Sequence, residues 1–199
     1  AQYAAHALQQ HGALPPRPPA VDPAVTTAME VLEASARYAE SQMDVRSRDA
    51  AVDAALGACA RALSRGEVPL VAPAAQAAAR VAQLASGTPN TLPRLAQLVD
   101  QLVGWALDVS MERRDARALT DNLARFGLNC WRSERVVAQT LVRNLDQDLS
   151  RLSASARDET QVIQVASVAR CLSAVLRNLD RDATHAQTCS RFVDALLLS

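Results

Sequence analysis

Apolar residues recur along this chain at the spacing of one helix face, and that constrains the fold before anything else does. Between residues 92 and 106 the stripe is Leu95, Leu98, Val99, Leu102, Val103 and Ala106. That i, i+3, i+4, i+7 series sets the large apolar side chains on one side of an α-helix. The stretch 122–145, "NLARFGLNCWRSERVVAQTLVRNL", carries the same spacing, breaks after Asn-Cys-Trp and restarts at once as a second leucine-spaced helix. With only two Trp, two Tyr and two Phe, the core has to be built from Leu, Val and Ala, small side chains that let helix axes approach closely. An all-α protein is expected.

Local punctuation sets the boundaries. Residues 14–22 fall in "LPPRPPAVDP", a proline cluster that reads as a stiff polyproline II connector between an N-terminal helical stub (1–13) and a helical domain (23–199). Asp22-Pro23 supplies an N-cap and a first-turn proline, after which Met29, Leu32, Ala36 and Ala39 share a face. A second helix, from about Arg48 to Arg65, stops at Gly66 as its C′ glycine. The alanine-rich segment that follows admits Pro69 and Pro73 in its opening turn and ends at Gly87. Asp115 and Ser133 are expected to cap the next two helices, and the last pair is expected to start near Asp158 and Asp182.

Paired in order, these helices form units starting near residues 23, 68, 115 and 158, a step of about 43–47 residues. That step lies in the range of two- and three-helix solenoid repeats of the HEAT and armadillo kind, so an α-solenoid of antiparallel helix pairs is expected. Self-matches agree. Glu112-Arg113, Ala116, Leu119 and Asn122-Leu123 return 22 residues later as Glu134-Arg135, Ala138, Leu141 and Asn144-Leu145. "AQT" at 138–140 returns at 186–188, with Arg143 and Asp146 matched by Arg191 and Asp194.

Charge excludes some partners. The formal net charge is zero, so no whole-molecule field draws the chain to nucleic acid or anionic lipid. Neither a membrane span nor a secretory signal is legible. All 21 basic residues are arginine. Either a GC-rich codon bias or selection against lysine, the acceptor for ubiquitin, accounts for this.

The chemistry-bearing residues are sparse. Cys59, Cys130, Cys171 and Cys189 contain no CxxC pair and are expected to be buried free thiols, with no disulfide and no metal. A zinc site would have to draw on Cys171, His185 and Cys189. Cys130 stands near Arg132 and Arg135 but has no histidine close in sequence. Gly57, Gly104 and Gly127 lie inside helical patterns and read as close-packing sites. Asn122, Asn144 and Asn178, on successive helices, are candidates to bond an extended peptide in a solenoid groove, although satisfying a local helix end is the commoner use of such residues, and Trp131 is the expected apolar plug of the seam. No catalytic residue and no cofactor site is expected.

Residues 121–134, "DNLARFGLNCWRSE", resemble the repeat of the SKWP-repeat type III secreted effectors of plant-pathogenic bacteria. Asn122, Leu123, Leu128 and Trp131 match a motif like "ANxLNALSKWP", and Ala138, Leu141 and Leu145 fit the helix that follows it. Asn129-Cys130 stands where Ser-Lys would, Arg132 where the proline would, and Leu179 falls where a second Trp is due. The resemblance covers about 60–80 residues. It implies an α-solenoid virulence protein delivered into the host cytoplasm, where lysine-free composition would spare it ubiquitin-dependent turnover.

The leading expectation is therefore a monomeric interaction module that binds a host protein. Two alternatives belong to other classes: a single-stranded RNA-binding helical repeat, against which zero charge and scarce aromatics argue, and a ubiquitin-ligase-like effector enzyme without a recognisable catalytic motif.

Overall fold

The computed structural model describes residues 22–178 apart from 86, 87, 89, 109, 110 and 156, and within helices it leaves undescribed the side chains of residues 113, 174 and 176–178. The stub (1–13), the connector up to residue 21, and the helix expected from Asp182 lie outside the described residues. Within them are seven helices and no strand: α1 (Pro23–Ser41), α2 (Val45–Ser64), α3 (Val68–Ala82), α4 (Thr91–Ala106), α5 (Arg113–Ser133), α6 (Arg135–Ser155) and α7 (Glu159–Asn178).

Local chemistry accounts for four of the helix ends. Asp22 accepts the Ala24 N–H at 2.8 Å with Pro23 in the first turn, and Asp44 accepts the Ser47 N–H at 2.9 Å. Asp158 takes the Gln161 N–H at 2.9 Å, while the Gln161 side-chain Oε1 takes the N–H of Arg157, the residue before the cap, at 2.7 Å, a near relative of the capping box. Each such cap stabilises its helix by about 1 kcal/mol. Gly66 closes α2 at φ 74°, a left-handed conformation that a side chain would strain.

Five expectations about helix ends and interiors are corrected. Asp115 lies in the first turn of α5, whose cap position is Glu112, and Ser133 is the last residue of α5 rather than the cap of α6. Pro73 sits inside α3, beyond its first turn, and that helix ends at Ala82, short of Gly87. Gly104 has nothing within 4 Å of the place a Cβ would take, so close packing does not explain it.

The packing follows a rule of alternation. α1, α3, α5 and α7 pack each on the next, as do α2, α4 and α6, so the helices form two layers, odd and even. Consecutive helices also touch, though α3–α4 and α4–α5 only slightly. The most extensive contact joins α3 to α5. Alanine makes it possible: Ala74, Ala75, Ala77, Ala78, Ala79 and Ala82 are all buried, and their small side chains bring the neighbouring axes close.

Larger side chains take over after α4. Leu119 and Leu123 on α5 and Leu141, Leu145 and Leu149 on α6 are almost fully enclosed, and Phe126 is the aromatic at the centre, 0% exposed. Gly127 beside it lets three helices converge: a Cβ there would stand 3.0 Å from Val175 Cγ1 of α7 and 3.2 Å from Leu141 Cδ2 of α6.

Candidate functional site

The 22-residue self-match fixes two consecutive helices in register. Glu112 and Glu134 hold the cap positions of α5 and α6, their carbonyls accepting from Ala116 at 2.9 Å and from Val137 at 2.9 Å. Glu134, with φ −138° and ψ 76°, is the one residue between the two helices. The stretch that breaks after Asn-Cys-Trp is thus a one-residue seam between 21-residue helices. Trp131 packs against the core but is only half-buried, with the Arg135 guanidinium 4.2 Å from its ring centroid. The enclosed plug is Phe126, which sequence reasoning missed. Burial raises the Glu134 carboxyl above its ordinary range.

The expected peptide-groove asparagines lie in different layers. Asn122 donates from α5 to the Ala72 carbonyl of α3 at 3.4 Å, and Asn144 donates from α6 to Asp100 of α4 at 3.2 Å. Each amide is committed to the preceding helix of its own layer. The side chain of Asn178 lies outside the described residues. Two donors not singled out from sequence complete the α5–α3 contact: Asn129 to Ala79 O and Ser133 to Ala82 O, both at 2.6 Å. Those carbonyls belong to the last turn of α3, which lacks intrahelical donors. α4 likewise reaches back to α2, through Gln101 to Ala60 O at 3.3 Å and Trp105 Nε1 to Leu63 O at 3.3 Å, although the Ser64 hydroxyl and the Gly66 N–H already serve those two carbonyls. In both cases the donors stand four residues apart, one turn of the donating helix.

α1 and α3 are joined differently. Arg80 places Nε and Nη2 on the two carboxylate oxygens of Glu40 at 2.9 and 2.6 Å, and Nη1 on Glu33 at 2.7 Å. Glu33 also accepts from Arg37 Nε at 2.6 Å. The Arg37 hydrogen bond, with help from Arg80, holds the Glu33 carboxyl below its ordinary value of 4.5, and Arg80 does the same for Glu40. Beside this network a groove of about 540 Å³ opens between the two helices, with Met29, Ala34 and Ala77 among its apolar lining and Glu30, Glu33 and Arg37 as its charges.

A second groove, of about 250 Å³, lies between α2 and α4. It is basic, with Arg61, Arg65 and Arg94, but Arg65 is paired with Glu67 at 2.7 Å and Arg94 with Asp53 at 3.5 Å.

Among the described residues, the cysteines are buried thiols of low reactivity. Cys59, Cys130 and Cys171 are free and buried. Burial pushes the Cys59 thiol up to about 12 and raises the other two, with Glu134 adding to the effect at Cys130 and a Thr120 hydroxyl 3.5 Å from Cys171 partly opposing it. A nucleophile needs the opposite shift. Among the described residues no three His, Cys, Asp or Glu are placed to hold a metal ion, and His185 and Cys189 lie outside them. No helix of the described residues is long and apolar enough to cross a membrane.

No protein-family model, curated protein or solved structure matches this chain.

Proposed function

We propose that the chain is a segment of an α-solenoid that serves as an interaction module, binding a host protein as part of a bacterial virulence effector. The observation that carries this reading is the two-layer alternation of helices: α1, α3, α5 and α7 begin at residues 23, 68, 113 and 159, a step of 45 or 46 residues. Stacks of this kind leave long helix faces open to a partner, and their stability comes from contacts between neighbours rather than from a closed site. The open α1–α3 groove supports a binding role, and the raised thiols weigh against a cysteine-based enzyme. RNA binding is the weaker reading, because two of the three arginines in the basic groove are already neutralised by carboxylates.

The test is retention of host protein by the full chain immobilised in plant cytosolic extract. A defined protein retained after nuclease treatment, and absent from heat-unfolded chain, is the expected result. Retention of nuclease-sensitive material alone would favour the RNA reading. The host location has its own test, since lysines introduced at exposed Arg46 and Arg114 should shorten the protein's half-life in host cytosol with folding unchanged. An unchanged half-life would leave codon bias as the account of the missing lysines.

A further inference from the structure

Resting on the reading of this chain as a protein-binding module, we propose that the groove between α1 and α3 holds a partner segment that presents one cationic side chain, arginine or lysine, from an otherwise apolar face. The lining fixes that chemistry. Met29, 38% exposed, and Ala34 offer apolar surface on the α1 side, and Ala77 closes the floor from α3. Apolar side chains of an occupant are drawn out of water there.

The polar groups ask for a donor. Both oxygens of Glu33 are taken, one by Arg37 and one by Arg80. Arg37, the cation of the lining, is committed to Glu33 and so is not free to receive an acidic occupant. Glu30 is an exposed carboxylate with no ion pair among the described residues. On the α3 side, Pro73 lacks the N–H that would serve the Pro69 carbonyl one turn earlier, and both prolines lie on the stripe that includes Gln76 and Ala77. An acidic segment would therefore meet Glu30 and Glu33 with no uncommitted cation, whereas a cationic one finds an unpaired carboxylate beside apolar surface. The geometry also leaves room for it, since α1 packs only on α2 and α3 among the described helices.

The experiment uses the full chain and four soluble twelve-residue peptides of one Ala- and Leu-spaced sequence, carrying Arg, Lys, Gln or Glu at the centre. The Arg and Lys peptides should bind about tenfold more tightly than the Glu peptide, and Glu30→Gln should remove most of that preference while Arg46→Gln, outside the groove, leaves it intact. Because Glu30 is exposed and unpaired, its replacement leaves the fold in place, which a thermal melt confirms. Equal binding of all four peptides, or an unchanged preference in Glu30→Gln, would overturn the proposal. So would tighter peptide binding by Arg17→Gln, since that would make the chain's own proline-rich connector the occupant. Host protein still retained by Glu30→Gln would overturn this groove assignment and leave the interaction-module reading standing.

Discussion

On one flank α3 meets α1 through an exposed ion network, and on the other it meets α5 through neutral hydrogen bonds to backbone carbonyls. The side chains of Arg80, Glu40 and Glu33 retain 28%, 33% and 43% of their exposure, so water and salt compete with every charge in that network and its net worth is small. Among the carbonyls that α5 covers, that of Ala79, in a residue 3% exposed, takes its donor from Asn129. Left without a donor, such a group loses its bond to water and gains nothing in return. One helix is thus fastened by a contact that solvent can tune on one side and by a contact that solvent barely reaches on the other.

The heaviest blow to the α5 side is Phe126→Ala, which empties the centre of that packing and should cost about 3–5 kcal/mol in chemical denaturation. Gly127→Val comes next, at about 1–3 kcal/mol, because its side chain must displace Val175 and Leu141. Combining it with Val175→Ala should recover part of the loss, and a fully additive double variant would show that the close approach is not the cause. Asn129→Ala strips the donor from Ala79 and should cost about 1–2 kcal/mol, independent of salt.

Arg80→Met should lower stability least. Its effect should shrink further in high salt and in acid. The sign follows from the carboxyls: Glu33 and Glu40 are held below 4.5, so their contribution is present at neutral pH and is lost as pH falls through the lowered values. A pH- and salt-independent Arg80→Met effect would erase the contrast between the two flanks. Glu134 works in the opposite sense, its raised carboxyl meaning that burial penalises the charged form at neutral pH. Glu134→Gln should therefore raise the melting temperature slightly near pH 7 and have no such effect in acid.

What could be read from sequence was what acts within one or two turns. Asp22-Pro23, Asp158 and Gly66 carry their own signals, because a cap bonds residues two or three positions away. The 22-residue match pointed to the α5–α6 register because it repeats buried leucines at 119, 123, 141 and 145. Pro73 was misplaced because helix rules weigh its missing N–H and not the buried alanines around it, which favour continuing the helix. Phe126 lies on the buried stripe of α5 with Leu119, Leu123 and Cys130, whereas Trp131, five residues on, falls well to one side of it, so helical spacing already pointed to Phe126 as the enclosed aromatic. The donors Asn129, Ser133 and Arg80 were invisible as such, their partners being 40 to 51 residues away.

Apart from the Thr120–Cys171 contact between α5 and α7, in which either atom could donate, the same-layer bonds described here run one way along the chain: Arg80 reaches back to α1, Gln101 and Trp105 to α2, Asn122, Asn129 and Ser133 to α3, and Asn144 to α4. During synthesis each of these acceptors therefore exists before its donor, by 40 to 51 residues. At roughly 5–20 residues per second, that delay lasts on the order of a few seconds. Where the acceptor is a last-turn carbonyl, as at Ala79, water is expected to hold it for that interval and to leave when the next-but-one helix arrives. Assembly can proceed from the first helix onward without waiting for the chain to be finished, and a molecule interrupted partway holds wetted carbonyls rather than stranded buried ones.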